Sequence, residues 1–299
     1  SGTGTATTLA GIYISASPTA GWTITGNTIR NLTNSSSNST FGSIFQALSG
    51  IAMSGPQSHF VSGNTIHTLI NNSTTGQISV VGLYFSGSAS LHSTIQKNFI
   101  HSIKISSDNK FSRITGIMIV EGLHTLRNNM IRLGIDEAGN SITTAYNFTG
   151  ILKTVATVGS YFHNSVYIGG TGVGTDVVKT FAFRKNGTSG ADSLFNNIFF
   201  NARSNATTGG NHYAIGVNQT SGLVSDYNDF IANGTGGVVA TRDTGNTTNY
   251  TTLGLWQTNM SVDNNSFSGN PNFADPTGDA SAVDLHLACL LYTSDAADD

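Results

Sequence analysis

Cysteine occurs once in the 299 residues, at Cys289, which excludes an internal disulfide framework and a cysteine-based zinc site. Charge is scarce as well. Lys, Arg, Asp and Glu make up 10% of the chain against a usual quarter, and a net charge of -3 leaves no basic footprint for nucleic acid. No run of eighteen or more apolar residues occurs, so the sequence holds no candidate for a membrane-spanning helix. Proline stands at only four positions, and apolar residues at helical spacing are absent almost everywhere. The first residues, SGTGTATTLAG, have neither the basic start nor the apolar core of a signal peptide. Because Gly11 already opens a repeat, the chain reads as beginning inside a larger protein.

What is present is a surplus of Gly, Ser, Thr and Asn, residues that are poor inside helices and favoured in turns. A chain this polar could be disordered, but 38% hydrophobic residues set at regular intervals argue for a fold. The interval is the strongest signal. The pattern of Asn, any residue, then an apolar residue recurs at Asn27, Asn64, Asn98, Asn129, Asn164, Asn197, Asn228 and Asn265, with spacings of 37, 34, 31, 35, 33, 31 and 37 residues. A second column precedes it in each unit, as GIYI at Gly11, GIAM at Gly50, GLYF at Gly82, GIMI at Gly116 and GILK at Gly150. It continues without the glycine as FAF at Phe181 and AIGV at Ala214.

Units of this length hold two or three very short strands, which bury a core only when stacked on their neighbours. A β-propeller needs four antiparallel strands in each blade, and these units are too short for that. The columns therefore predict an all-β, single-stranded parallel β-helix of about eight coils, roughly 40 Å long at about 4.8 Å per coil. One repeat domain would occupy residues 1–287. Strand alternation puts each recurrent Asn on the same side as the apolar residue two positions later. Stacked inward amides could then satisfy one another along the axis, since each carries donors and an acceptor. The other reading is a set of repeated surface turns, where Asn is favoured in any case.

The Gly-Ile-x-Ile strands, the Gly-Asn-Thr-Ile bends and the asparagine column resemble the right-handed parallel β-helix of the pectate-lyase-like superfamily, over roughly Gly11 to Phe267. SDYNDF at Ser225, LGLWQ at Leu253 and GNPNFADPTGDASAVDLHL at Gly269 are similar to the closing section of β-helix regions in large secreted surface proteins of Bacteroidetes type. In those proteins Asp-Leu-His-Leu is usually followed by Ser-Pro-Ala. Here ACLLYTSDAADD follows instead and resembles translated sequencing-adapter read-through, so residues 288–299 read as a tail foreign to the gene. The resemblance implies a secreted or cell-surface protein.

Enzymes on this fold work with clustered carboxylates, and the sequence supplies few. Glutamate occurs only at Glu121 and Glu137, and Asp108, Asp136, Asp176 and Asp192 do not fall at equivalent positions, so no catalytic residue is assigned. Two rows are candidates for ligand contact. Arg30, His67, His101 and Arg132, three residues after successive asparagines, would form an outward basic row suited to an acidic polysaccharide, or an ordinary solvated face. Tyr13 and Tyr84 head an uncharged outward row with Ala52, Met118, Leu152 and Ala182, available for sugar stacking or covered by long loops. No cofactor or metal is assigned. Calcium remains open through Asp226, Asp229, Asp263, Asp275 and Asp279, although their spacing matches no calcium loop. The expected function is a noncatalytic extracellular scaffold that binds polysaccharide or another extended partner. The alternative is a carbohydrate-active lyase or hydrolase.

Overall fold

Short apolar runs broken by tight turns produce three parallel sheets, and the chain visits them in strict rotation. The structure, a computed structural model, describes residues 3–4, 7–15, 19–187, 190–219, 222–242 and 248–288. The tail from residue 289, with Cys289, lies outside the described residues. Sheet 1 contains Leu9–Ser15, Leu48–Ser54, Ser79–Ser86, Arg113–Glu121, Asn147–Lys153, Thr180–Lys185, His212–Val217 and Gly237–Arg242. Sheet 2 is built from Thr23–Thr25, Phe60–Ser62, Ser93–Gln96, His124–Arg127, Gly159–Phe162, Asp192–Phe195 and Leu223–Asp226. In sheet 3, Thr3–Gly4 is followed by Thr28–Ser36, Thr65–Asn71, Phe99–Ile105, Met130–Leu133, Ser165–Ile168, Ile198–Asn201 and Asp229–Ala232. Among the described residues seven coils have all three strands, and Gly237–Arg242 begins an eighth. The molecule is a parallel β-solenoid.

The recurrent glycines mark a place where the interior is already full. A Cβ on Gly82 would lie 2.5 Å from Ile100 Cγ2 and 2.7 Å from the Gly116 carbonyl, and Gly50, Gly116 and Gly150 are crowded in the same way. The isoleucine of sheet 3 therefore requires the glycine of sheet 1. Fully buried Ile51, Leu83, Ile117 and Ile151 run beside this column, and each such side chain contributes about 1.5–3 kcal/mol by leaving water.

The recurrent asparagines form a ladder from Asn27 to Asn228, buried from Asn64 onward. In each step the backbone N–H and the side-chain Nδ2 of one Asn both donate to the Oδ1 of the next, at 3.1 and 2.9 Å from Asn64 to Asn98 and at 3.1 and 3.0 Å from Asn98 to Asn129. The second Nδ2 hydrogen goes to a carbonyl of sheet 2 one coil back, from Asn98 to Val61 at 3.1 Å and from Asn129 to Ile95 at 3.0 Å. Every donor and acceptor of the amide is thereby used, which is how a polar group is tolerated inside. The left-handed conformation at the bend falls one residue earlier than the ladder, on Gly26, Gly63, Lys97, Asn128, His163, Asn196 and Tyr227.

Asn265 does not join this column. It is exposed, and its N–H and Nδ2 each donate 2.7 Å to the Asp226 carboxylate. The chain arrives one residue out of step after the terminal helix, so Ser266 Oγ accepts from the Asn228 N–H in its place, at 2.9 Å. The same shift leaves Phe267 57% exposed instead of inward.

The end of the solenoid is closed in two layers. Thr248–Tyr250 pairs antiparallel with the last strand of sheet 1, and the helix Leu253–Met260, capped by Thr252, buries Trp256 completely against the end of the core. The chain then runs back along the outer face of sheet 3. Phe273 lies edge-on to Tyr167 at 6.3 Å, Leu285 joins Ile135, Phe200 and Ile231 in one apolar cluster, and the Ala280 N–H donates 2.9 Å to the Glu137 carbonyl. Among the described residues no helix is long and apolar enough to cross a membrane.

Candidate functional site

The outer face of sheet 1 changes character along the axis. At its N-terminal end Tyr13 is 45% exposed, with its ring 6.2 Å from that of Phe45. Next in register come Ala52, Tyr84, Met118 and Leu152, all buried. The segment 41–46 folds over them. Ile44 packs into this cluster, and Gln46 Nε2 donates to Met118 Sδ at 3.7 Å. Tyr84 is thus only 4% exposed, and loss of water together with the nearby Glu121 charge pushes its phenol up to about 12. Sugar stacking on Tyr84 is unavailable in this arrangement.

Beyond Leu152 the row does not pass through Ala182. The register pairs Leu152 with Arg184, because Ala182 occupies the crowded glycine column, with its carbonyl 2.5 Å from where a Cβ of Gly150 would lie. An arginine therefore stands where an apolar residue was expected. Arg184 faces Arg113 across a groove of about 170 Å³ lined by Phe41, Asn147, Thr149, Leu152 and Asn186. Each guanidinium lies on an aromatic ring, Arg113 on Phe41 and Arg184 on Phe181, both at 4.3 Å from the ring centre. Neither has a carboxylate partner among the described residues. Burial lowers both pKa values, that of Arg184 to about 10 with a contribution from Arg113, a level at which Arg184 remains charged near neutral pH. The signal was present in FAFRK once Ala182 is aligned with the glycines.

The row on sheet 3 stacks as expected but is not a uniform surface. Arg30 is exposed, His67 is half-buried, and His101 and Arg132 are buried. The His67 and His101 rings are parallel within 5° at 4.8 Å, and Phe99 lies 4.4 Å from His101. Burial and the neighbouring Arg30 lower the His67 pKa. Burial, His67 and Arg132 take His101 to about 3. Arg132 donates to Ser102 Oγ at 2.9 Å, and burial brings it to about 10 despite the opposing charges of Asp136, Asp275 and Asp279. The returning C-terminal segment brings Asp275 and Asp279 near Arg132, and only Arg30 and part of His67 are exposed.

The aspartates considered for calcium have separate duties. Asp226 holds Asn265, Asp263 accepts from Trp256 Nε1 at 2.8 Å, and Asp229 accepts the Gly269 N–H at 3.0 Å. Inside the solenoid sits a group that a strand reading would place outside, because lysines on strands normally face water. Lys153, Lys185 and Asp192 are all fully buried where sheet 1 turns into sheet 2. Compared with known protein families, curated proteins and solved structures, the chain finds no match.

Proposed function

We propose that this solenoid acts outside the cell as a noncatalytic surface that binds an acidic polysaccharide along the outer face of sheet 1. The observation that carries this reading is the pair Arg113 and Arg184, two guanidiniums without carboxylates in one groove. Arginine forks match carboxylate and sulfate oxygens in pairs, and charge-assisted contacts of this kind are the strong ones. The exposed pair of Tyr13 and Phe45 lies five coil steps away on the same face, about 24 Å at 4.8 Å per coil, a span suited to a chain rather than a single sugar. Support for binding without cleavage comes from supply, since no carboxylate lines the groove and general acid and base work needs two groups in fixed relation.

Affinity electrophoresis through gels containing polygalacturonate or alginate tests this against neutral glucans. Retardation by the acidic polymers alone is expected, together with a loss of about tenfold in affinity for Arg184→Ala, the worth of one charge-assisted contact. Equal mobility of parent and variant in every gel would leave a structural scaffold only. Release of reducing ends or unsaturated products would instead favour the carbohydrate-active alternative.

A further inference from the structure

Lys153 Nζ lies 2.5 Å from Asp192 Oδ1, and Lys185 Nζ lies 3.0 Å from Asp192 Oδ2, with all three side chains sealed from solvent. The neighbours in register are apolar on both sides, Ile119 before Lys153, Val217 after Lys185 and Leu223 after Asp192. Two ammonium groups thus share one carboxylate in the interior, where holding ions away from water is expensive. Gly159 makes the meeting possible. A Cβ there would lie 2.4 Å from His124 Nε2 and 3.0 Å from Asp192 Oδ1, and its N–H donates 2.9 Å to the same carboxylate oxygen. His124 is engaged elsewhere, with Nδ1 at 2.8 Å from the Gly122 carbonyl and Nε2 at 2.8 Å from the Tyr161 hydroxyl.

We propose that Lys153 and Asp192 become joined by an intramolecular amide that the folded protein forms by itself. The proton of the Lys153 ammonium passes to Asp192, which leaves a neutral amine against a carboxylic acid. This transfer is easier in a dry interior than in water, because it removes a charge pair. The amine lone pair forms a bond to Asp192 Cγ. Negative charge then develops on Oδ2, which has the Lys185 ammonium 3.0 Å away as a counter-charge, while the Gly159 N–H holds Oδ1, the protonated oxygen that is to leave. The Cγ–O bond to the protonated oxygen then breaks, and one water leaves, carrying both the oxygen and the protons the amine has given up. Lys185 ends with the charge it began with, and no oxidant or further reactant enters. Two groups held in contact by packing react with effective concentrations on the order of 10⁵ M or more, which lets a sluggish condensation go forward. The amide ties sheet 1 of one coil to sheet 2 of the next across 39 residues and replaces a buried cation and anion with a neutral group.

Intact mass measured on the denatured full chain decides the matter without any variant. A species one water lighter than the sequence, about 18 Da, is expected after the folded protein has been incubated, with digestion giving a branched peptide that joins Lys153 to Asp192. Lys153→Met should restore the full mass. Lys185→Met keeps the nucleophile, so the light species should still form, but at least about tenfold more slowly, the loss of one stabilising charge beside Oδ2. The full sequence mass after prolonged incubation of folded protein would overturn the proposal, leaving an ion pair. A deficit that persists in Lys153→Met, or that maps to other residues, would overturn it equally.

Discussion

The two ends of the asparagine ladder are made of the same repeat and finished differently. At the first end Asn27 is half-buried, and its Oδ1 accepts no hydrogen bond among the described residues. At the last end Asn228 gives its N–H to Ser266 Oγ and its Nδ2 to Asp263 Oδ1 at 3.2 Å, and that carboxylate also accepts from Ser225 Oγ, Ser266 Oγ and Trp256 Nε1. The asymmetry follows from polarity. Every amide in the ladder donates toward the C-terminal end, so the final member needs a partner that only accepts, and a carboxylate is such a partner. The first member is left with a spare acceptor on a half-buried side chain that reaches solvent. A directional hydrogen-bonded column thus needs a built cap at one end only, and the fold provides Asp263, the helix and Trp256 at that end.

Removing the cap should have the largest effect. Asp263→Ala leaves four buried donors with one acceptor fewer and places a residue with a Cβ but no polar side chain at φ +61°, so a loss of at least about 3–5 kcal/mol is expected. Denaturant unfolding measures it, and a loss below 1 kcal/mol would show that the end is held by the helix alone.

Acid should narrow the difference between the ends. Burial first, and nearby positive charges with it, lowers the folded pKa of His101 to about 3, His124 to about 4 and His212 to about 3, for His124 against the opposing pull of the Gly122 carbonyl and Asp192. The sign is fixed by linkage. A histidine whose folded pKa lies below the unfolded 6.5 gives its full stability above pH 6.5, and that stability is lost as pH falls toward the folded value, at up to about 1.4 kcal/mol per pH unit for each group. His212 lies in the seventh coil, near the cap, bonded to Thr180 and Asn205 at 2.9 Å each. Hydrogen exchange at pH 7 and pH 4.5 should show protection falling most around His101, His124 and His212, and unchanged protection there would contradict the assignment.

The solenoid was legible because its physics is columnar: what one coil requires at a position, the next requires too. Asn98 and Gly82 could be read for that reason. The errors arise where a column is interrupted. Asn265 has the right neighbours in sequence, but the helix before it delivers the chain one residue out of step. Ala182 reads as part of the outward row because the glycine that marks the crowded column is missing from FAFRK, which hides Arg184 as well. The surroundings of Arg132 and Tyr84 include segments far away in sequence, 267–288 and 41–46, whose docking no local pattern announces. Lys153, Lys185 and Asp192 were invisible for another reason. A buried charge is recognised by its partner, and these partners stand 39 residues or fewer apart on different sheets, joined through the space left by Gly159.

Within the ladder, position should decide the cost of a single substitution. Asn98→Ala removes an acceptor used twice by Asn64 and donors used by Asn129 and Val61, all buried, for an expected loss of about 1–3 kcal/mol. Tm relative to the parent checks this, and the shift should exceed that of any exposed Asn→Ala change.

Asn27→Ala should have the smallest effect, and it tests the directional argument most directly. Asn27 donates twice to Asn64 Oδ1, through its N–H at 3.0 Å and its Nδ2 at 2.9 Å, and the backbone donor survives the substitution. No other residue of the ladder donates to Asn27, so truncation leaves no donor stranded, and Asn64 Oδ1 keeps one of its two partners. The remaining loss is one half-buried hydrogen bond to Asn64 Oδ1 and an exposed one to the Thr25 carbonyl at 3.1 Å, together on the order of 0.5 kcal/mol. If polarity did not matter, Asn27 and Asn228 would be equivalent ends, and their alanine variants would differ only by exposure. Asn228→Ala, however, strips the two acceptor bonds on which Asn197 depends and leaves Asp263 short of a donor, so it should resemble Asn98→Ala, at about 1–3 kcal/mol. Equal Tm shifts for Asn27→Ala and Asn228→Ala would defeat the claim that the column has a direction, whereas a ratio of about threefold or more would establish it as a physical property of the repeat.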